Sequence, residues 1–297
     1  METNRVIALG FFDGVHIGHG ALLRLTRERA TALGCTASAL TFDAHPDTVI
    51  FGTPMPLIGT MDDRKRLMRE LYGIDEVLVA HFDHAMMTMP WRTFVTDELA
   101  GRLRARAVVC GHDFRFGFRG EGTPERLREA CRELGIGCDV VPKVMLDGEV
   151  VSSTRIRELL TKGELAEAIR FLGHAPAYTG RVAHGQHLGT GLGVPTANLP
   201  FPEGILVPAC GVYAASVLAG ETRYPAVANV GVHPTAGAAA APVLEAWLFG
   251  YEGDLYGQTV TAELHEFLRP ERKFPSMEAL REQILRDAAR AKELTRE

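Results

Sequence analysis

The chain has 297 residues, of which 46% are hydrophobic and 23% charged, and a formal net charge of −5. That length suits one large or two ordinary domains, with apolar material enough for two cores. The mild charge and the lack of long like-charge runs exclude a basic field for polyanions and argue against a nucleic-acid partner, and no apolar stretch reaches the ~20 residues of a membrane-spanning helix.

The first half alternates between two periods. Short β-rich runs stand at Arg5–Leu9, Thr36–Phe42, Glu76–His81, Ala107–Cys110 and Gly137–Val141. Helical spacing fills Ala21–Leu33, Met61–Tyr72, Pro90–Leu103 and Thr123–Leu134. This alternation predicts an α/β domain, a doubly wound parallel sheet with right-handed crossovers and ligands at strand carboxyl ends. Short helices follow at Arg155–Leu160 and Glu164–Leu172. From Ala177 the text changes to strands between Gly and Pro turns: Tyr178–Ala183, Gly211–Val217, Tyr224–Asn229, Val243–Tyr251 and Thr259–Phe267. That spacing predicts a small antiparallel β-barrel, closed by an amphipathic helix at Pro275–Glu293. The small-residue run Gly237–Pro242 reads as a loop. The expected domains are 1–173 and 174–297.

Cysteines stand at 35, 110, 131, 138 and 210, an odd number with no CxxC spacing. Reduced thiols in a cytoplasmic protein are expected, not a disulfide framework or a zinc site. The opening METNRVIALGFF has no basic segment leading into a long apolar one, so no secretory signal is expected. Homo-oligomerisation stays open.

Gly10-Phe-Phe-Asp-Gly14-Val-His16-Ile-Gly18-His19 follows the first strand and opens the first helix. Gly10, Gly14 and Gly18 permit sharp turns, and a helix start offers free N–H groups and a positive dipole end to phosphate. His16 and His19, three apart, can donate to one anionic group. The bland alternative is a βα loop that happens to hold Gly and His; a metal site lacks a third ligand. Near the domain end, Val151-Ser152-Ser153-Thr154-Arg155-Ile156-Arg157 leads three hydroxyls into a helix. It is either an ordinary N-cap or a second anion site, with Arg157 one turn in for bidentate phosphate contact. Two more loops follow strands, Thr41-Phe-Asp-Ala-His45-Pro46 and Cys110-Gly-His-Asp113-Phe-Arg-Phe-Gly117, where α/β sheets place ligands.

These four motifs, in this order over about the first 160 residues, resemble the nucleotidyltransferase half of prokaryotic bifunctional riboflavin kinase/FAD synthetases. The resemblance implies that a phosphate oxygen of FMN attacks the α-phosphorus of ATP and pyrophosphate leaves, with no protein nucleophile. His16 and His19 would stabilise the transferring phosphorus. Gly10, Gly14, Gly18, Ser152, Ser153, Thr154 and Arg157 would hold the nucleotide, and His45 and Asp113 would lie near flavin or nucleotide. The family often has Asn at Phe11 and Pro at Ala44.

The second half carries Gly185-Gln-His-Leu-Gly189-Thr190-Gly-Leu-Gly193-Val-Pro195-Thr196-Ala-Asn198. It is neither a P-loop nor GxGxxG. Such a loop can wrap phosphates with backbone N–H groups, or be a plain hairpin. Thr196 and Asn198, two apart on an extended segment, face one way and offer hard oxygens for magnesium bound with phosphates. GLGVPTANL, GVY at Gly211–Tyr213, Asn229–Thr235, Leu244-Glu245-Ala-Trp, Asp254–Gly257 and Leu268–Phe274 together resemble the riboflavin kinase family from about residue 177 to the end. That resemblance implies a flavokinase-type barrel in which Glu245 is the base for the ribityl 5′-hydroxyl, Gly189 and Gly193 lie on ATP, and Thr196 and Asn198 hold Mg2+. The family usually has a basic residue at Thr190 and often Arg at His233; losing a cation near ATP weakens nucleotide binding. The expectation is synthesis of FMN and then FAD from riboflavin and ATP. The alternatives are an adenylyltransferase with a weak or silent kinase, or a non-catalytic flavin-binding regulator.

Overall fold

The computed structural model describes residues 3–184, 195–233 and 241–295. Two compact units emerge: Met1–Met55 with Arg64–Ser152, and Pro56–Asp63 with Ser153–Glu297.

In the first unit, β1 (Arg5–Leu9), β2 (Thr36–Phe42), β3 (Glu76–Ala80), β4 (Ala105–Gly111) and β5 (Gly137–Val141) form a parallel sheet of order β3-β2-β1-β4-β5. The period-2 pattern of β1 explains the two layers. Val6 and Ala8 face α1 (Ile17–Leu33) and Leu67 and Met68 of α3 (Met61–Tyr72), while Ile7 and Leu9 face Phe94, Val95, Leu99 and Leu127. With both faces covered, the strands read as near-continuous apolar runs. The strand order reverses between β1 and β4, which is where a doubly wound sheet opens a crevice at its carboxyl edge.

Between β2 and α3 lies a short helix, α2 (Pro46–Phe51), and α4 (His84–Thr88) follows β3. Neither has a period long enough to read from sequence. The predicted helix over 90–103 is α5 (Trp91–Thr93) running into a π-helical stretch, Phe94–Arg102, that ends with Leu103 N–H donating to the Glu98 carbonyl. Next come α6 (Pro124–Glu133) and a two-stranded hairpin, β6 (Met145–Leu146) with β7 (Glu149–Val150).

The second unit holds α7 (Ser153–Lys162), α8 (Leu165–Leu172) and six antiparallel strands. These are β8 (Ala177–Arg181), β9 (Ala197–Pro200), β10 (Gly211–Ala219), β11 (Thr222–His233), β12 (Ala241–Leu248) and β13 (Thr259–Pro270), in the order β8-β13-β10-β11-β12-β9. Ala183 N–H donates to the Asn198 carbonyl at 2.9 Å, so the two edge strands meet and the barrel nearly closes. Closure removes the exposed edges that invite aggregation. Leu199, Tyr213, Val230, Leu244, Ala246 and Leu264 are among the buried side chains of this barrel. Ala241 and Pro242, read from sequence as loop, begin β12; Pro is tolerated at a strand start.

The terminal helix α9 (Met277–Leu294) sets Ala288 and Ala291 against Val212, Ala214 and Val227, with Trp247 and Phe249 packed alongside. It is pinned by Arg269, whose Nε and Nη2 both donate to Asp287 Oδ2, at 2.9 and 2.7 Å. Both side chains are largely buried. Removing one partner of such a pair strands the other charge, so Asp287→Ala is expected to cost about 3 kcal/mol. In a Trp91→Phe background the remaining Trp247 reports this unit; an unchanged urea midpoint of its fluorescence would refute the estimate.

Candidate functional site

The turn after β1 is strained, and the core holds it. Phe12 (φ 59°), Gly14 (φ 74°) and Val15 (φ 44°) all have left-handed backbones. For a β-branched residue such as Val15 that conformation is a genuine outlier, a kind of strain that clusters at functional sites. Phe12 and Val15 are fully buried in the α1-side core, which offsets the strain.

His16 N-caps α1, its Nδ1 accepting the His19 N–H at 3.2 Å. An accepting Nδ1 leaves the proton of neutral His16 on Nε2. The two imidazoles stack with centroids 3.5 Å apart and planes 13° apart. Burial first, then the charges of His16 and Arg64, hold the His19 pKa well below its ordinary value. His19 Nδ1 is sealed from solvent with no hydrogen-bond partner. A proton there would be an unpaired buried donor, so the favoured tautomer also carries Nε2–H. The motif thus presents two stacked imidazoles, with His19 held neutral by burial and Nε2 left as the donor nitrogen of each ring. A Cβ on Gly18 would stand 3.0 Å from the His16 ring, and 3.8 Å from the Val151 carbonyl oxygen. That position must be bare for His16 to cap, and it puts the start of Val151–Arg157 beside the turn. Gly10 is similarly close to the Phe12 ring, at 3.1 Å.

Around this turn the loop after β2 comes in. The His45 ring meets the Phe11 ring edge-on at 4.6 Å, and His45 Nδ1 caps α2 by accepting Asp47 N–H. Thr41 Oγ1 donates to the Phe11 carbonyl at 2.7 Å. Further along the sheet edge, Asp43 Oδ2 lies 2.5 Å from His81 Nδ1 and Asp43 Oδ1 accepts the Phe82 N–H. The hydrogen bond to Asp43 raises the His81 pKa; burial opposes, but the His81 and Phe82 bonds hold the Asp43 carboxyl below its ordinary value. Asp113, in the loop after β4, projects to solvent with its side chain 80% exposed.

The division between the compact units falls between Ser152 and Ser153. Ser152 therefore belongs with the histidine turn, and Ser153, Thr154 and Arg157 with the second unit. Ser153 and Thr154 stand in the first turn of α7, and Arg157 Nε donates to the Pro56 carbonyl at 2.8 Å.

In the barrel, strand register makes the second cluster. Glu245 on β12 lies opposite Asn198 on β9 and Asn229 on β11. Directly opposed residues share a face, so the three side chains form one row. Leu244 and Ala246 are buried while Glu245 is half-buried, which places Glu245 on the other face, that of Val227 and Trp247. Asn229 Nδ2 donates to Glu271 Oε1 at 3.2 Å, and Gly231 leaves room for that carboxylate: a Cβ there would come within 2.4 Å of it. Thr196 precedes β9 by one residue, and Asn198 Nδ2 lies 3.5 Å from its carbonyl. Gly189, Thr190 and Gly193 lie outside the described residues, as does the His233 side chain.

Residues 1–155 match the FAD synthetase family and residues 172–295 the riboflavin kinase family. Curated relatives named bifunctional riboflavin kinase/FMN adenylyltransferase align over almost the whole chain. The Escherichia coli K12 protein is 36% identical over 97% of this chain and 92% of its own. That of Pseudomonas fluorescens is 37% identical over the same shares, and that of Bacillus subtilis 31% over 98% and 92%. The chain belongs to the bifunctional riboflavin kinase/FMN adenylyltransferase family. It is a transferase of FAD biosynthesis, with both domains present. A crystal structure described as a macrolide-efflux protein from Streptococcus pneumoniae is 28% identical, with a TM-score of 0.85, covering 98% of this chain and 95% of that one. Among the described residues of this family member, no helix is long and apolar enough to cross a membrane.

Sequence reasoning gave no role to three residues that the fold brings to these clusters. Arg64 is a buried cation against the histidine turn, and Asn229 and Glu271 extend the Glu245 row. For Asn229 the signal lies in the strand register; Arg64 carries none in the sequence.

Proposed function

We propose that the adenylyl-transfer step of this bifunctional enzyme runs on the His16–His19 pair. Their Nε2–H donors suit the non-bridging oxygens of ATP phosphate as charge builds on them. An oxygen of the FMN phosphate attacks the α-phosphorus, the bond to the β-phosphate oxygen breaks, and pyrophosphate leaves. No covalent enzyme intermediate is needed; positioning and charge stabilisation suffice. Gly10, Gly14 and Gly18 let the backbone approach the nucleotide. Ser152, Ser153, Thr154 and Arg157 hold its phosphates, and His45 and Asp113 border flavin or nucleotide. The stacked, capped pair supports this reading most strongly: a buried turn is strained and holds two imidazoles side by side.

In the kinase half, Glu245 takes the proton of the ribityl 5′-hydroxyl as its oxygen attacks the γ-phosphorus of a second ATP, and ADP leaves. Thr196 and Asn198, with Glu245 in the adjoining register position, offer the hard oxygens that suit Mg2+ bound together with phosphates. The metal would supply positive charge to those phosphates. Gly189 and Gly193 wrap them. The two activities divide at residues 173 and 174. The enzyme works in the cytoplasm on riboflavin, FMN and ATP, without nucleic acid.

The test is the purified chain with riboflavin and Mg-ATP, resolving flavins by chromatography. Conversion of riboflavin through FMN to FAD is expected. FAD from supplied FMN but nothing from riboflavin would overturn the kinase half, and no FAD from FMN would overturn the adenylyl half.

A further inference from the structure

Arg64 is among the largest fully buried side chains, 1% exposed, yet its hydrogen bonds go to neutral groups. Nη1 donates to the Phe11 carbonyl at 2.9 Å, to Thr41 Oγ1 at 3.3 Å and to the Phe42 carbonyl at 3.5 Å. Its guanidinium carbon lies 4.4 Å from the centre of the Phe11 ring, and Phe11 in turn meets His45. Nε is buried without a partner. The compensating charge is Asp13, 2% exposed within the strained turn itself. Burying a cation this way is costly, and a neutral side chain could fill the space. A fold keeps such a group when its charge or its planar fork is used.

We propose that Arg64 is a positioning residue for adenylyl transfer: by clamping the Phe11 carbonyl and stacking on the Phe11 ring, it fixes the left-handed turn that aligns His16 and His19. This inference rests on the reading of those histidines as the adenylyl-transfer donors. The clamp acts at the residue just before the left-handed stretch, so freeing that carbonyl lets Phe12–Val15 relax toward ordinary backbone angles. His16 and His19 then lose their shared orientation. Phe11 takes part through its ring, 4.4 Å from the guanidinium carbon. Arg64 also acts by charge. It faces His19 from α3 and opposes protonation of that ring, as His16 does from the turn, while Asp13 of the turn favours the charged guanidinium. Without that cation His19 titrates at higher pH.

The test uses full-length Arg64→Met, Arg64→Lys and His19→Ala. Riboflavin phosphorylation checks each preparation, and circular dichroism with thermal melting checks the fold. In Arg64→Met, kcat for FAD formation from FMN should fall on the order of 10- to 100-fold, as expected for displaced catalytic groups, with KM for ATP changing less. The His19 imidazole signal in NMR titration should move to higher pH. Arg64→Lys keeps the charge but not the fork or the stack. It should leave the His19 titration in place and still lower kcat. Wild-type kcat with an unmoved His19 titration in folded Arg64→Met overturns the proposal. If that variant does not fold, wild-type kcat in Arg64→Lys overturns it, and a lowered kcat supports it. A full FAD-forming rate in His19→Ala would instead overturn the reading of the histidines.

Discussion

His19→Ala is expected to cut FAD formation from FMN on the order of 10²- to 10³-fold, the usual cost of removing one preorganised donor to a charged transition state. The substitution also removes a ring from the stack with His16. It keeps the backbone N–H that His16 Nδ1 accepts, so the helix cap survives and the loss is chemical. FMN formation from riboflavin should stay within about twofold, since His19 and Glu245 belong to different compact units and sites with no shared partners act independently. The measurement is a pair of initial rates on one preparation, FMN to FAD and riboflavin to FMN. Equal loss of both, with circular dichroism unchanged, would show that the two activities are not separately housed.

The legible part of the fold was the part written locally. β1, β2 and β5 and helix α3 run over the residues their periodicity marks, because each alternates its apolar positions against a covered face. The histidine motif was legible for the same reason: strand, turn and helix start are contiguous. What the sequence could not give is what depends on distant pairing. The short strand β9 has only four residues and no period of its own; it exists because β12 pairs with it. The row Asn198–Glu245–Asn229 is a matter of register, which no single strand encodes. Arg64 sits in MDDRKRLMRELY among three other basic residues, and nothing in that string says which of them turns inward. A buried cation there runs against the default that Arg faces water. Such exceptions are expected to collect at functional sites.

Glu245→Gln should lower kinase kcat on the order of 10²- to 10⁴-fold, the range of general-base catalysis, while KM for ATP changes little. The amide keeps the shape and occupies the same register position between Asn198 and Asn229, so the row stays filled and only the proton acceptor is lost. Asn198→Ala makes the contrast. Asn198 is buried and, in the proposed site, would offer an oxygen to the phosphate-bound metal, so its loss is expected to weaken the nucleotide complex in ground and transition states alike. Loss of uniform binding appears in KM more than in kcat. The two variants therefore split in opposite directions, one in chemistry and one in affinity, and neither should change FAD formation from FMN. A Glu245→Gln enzyme with near-normal kcat would remove Glu245 as the base. The exposed Glu271, which accepts a hydrogen bond from Asn229, would then be the carboxylate to examine by the same substitution.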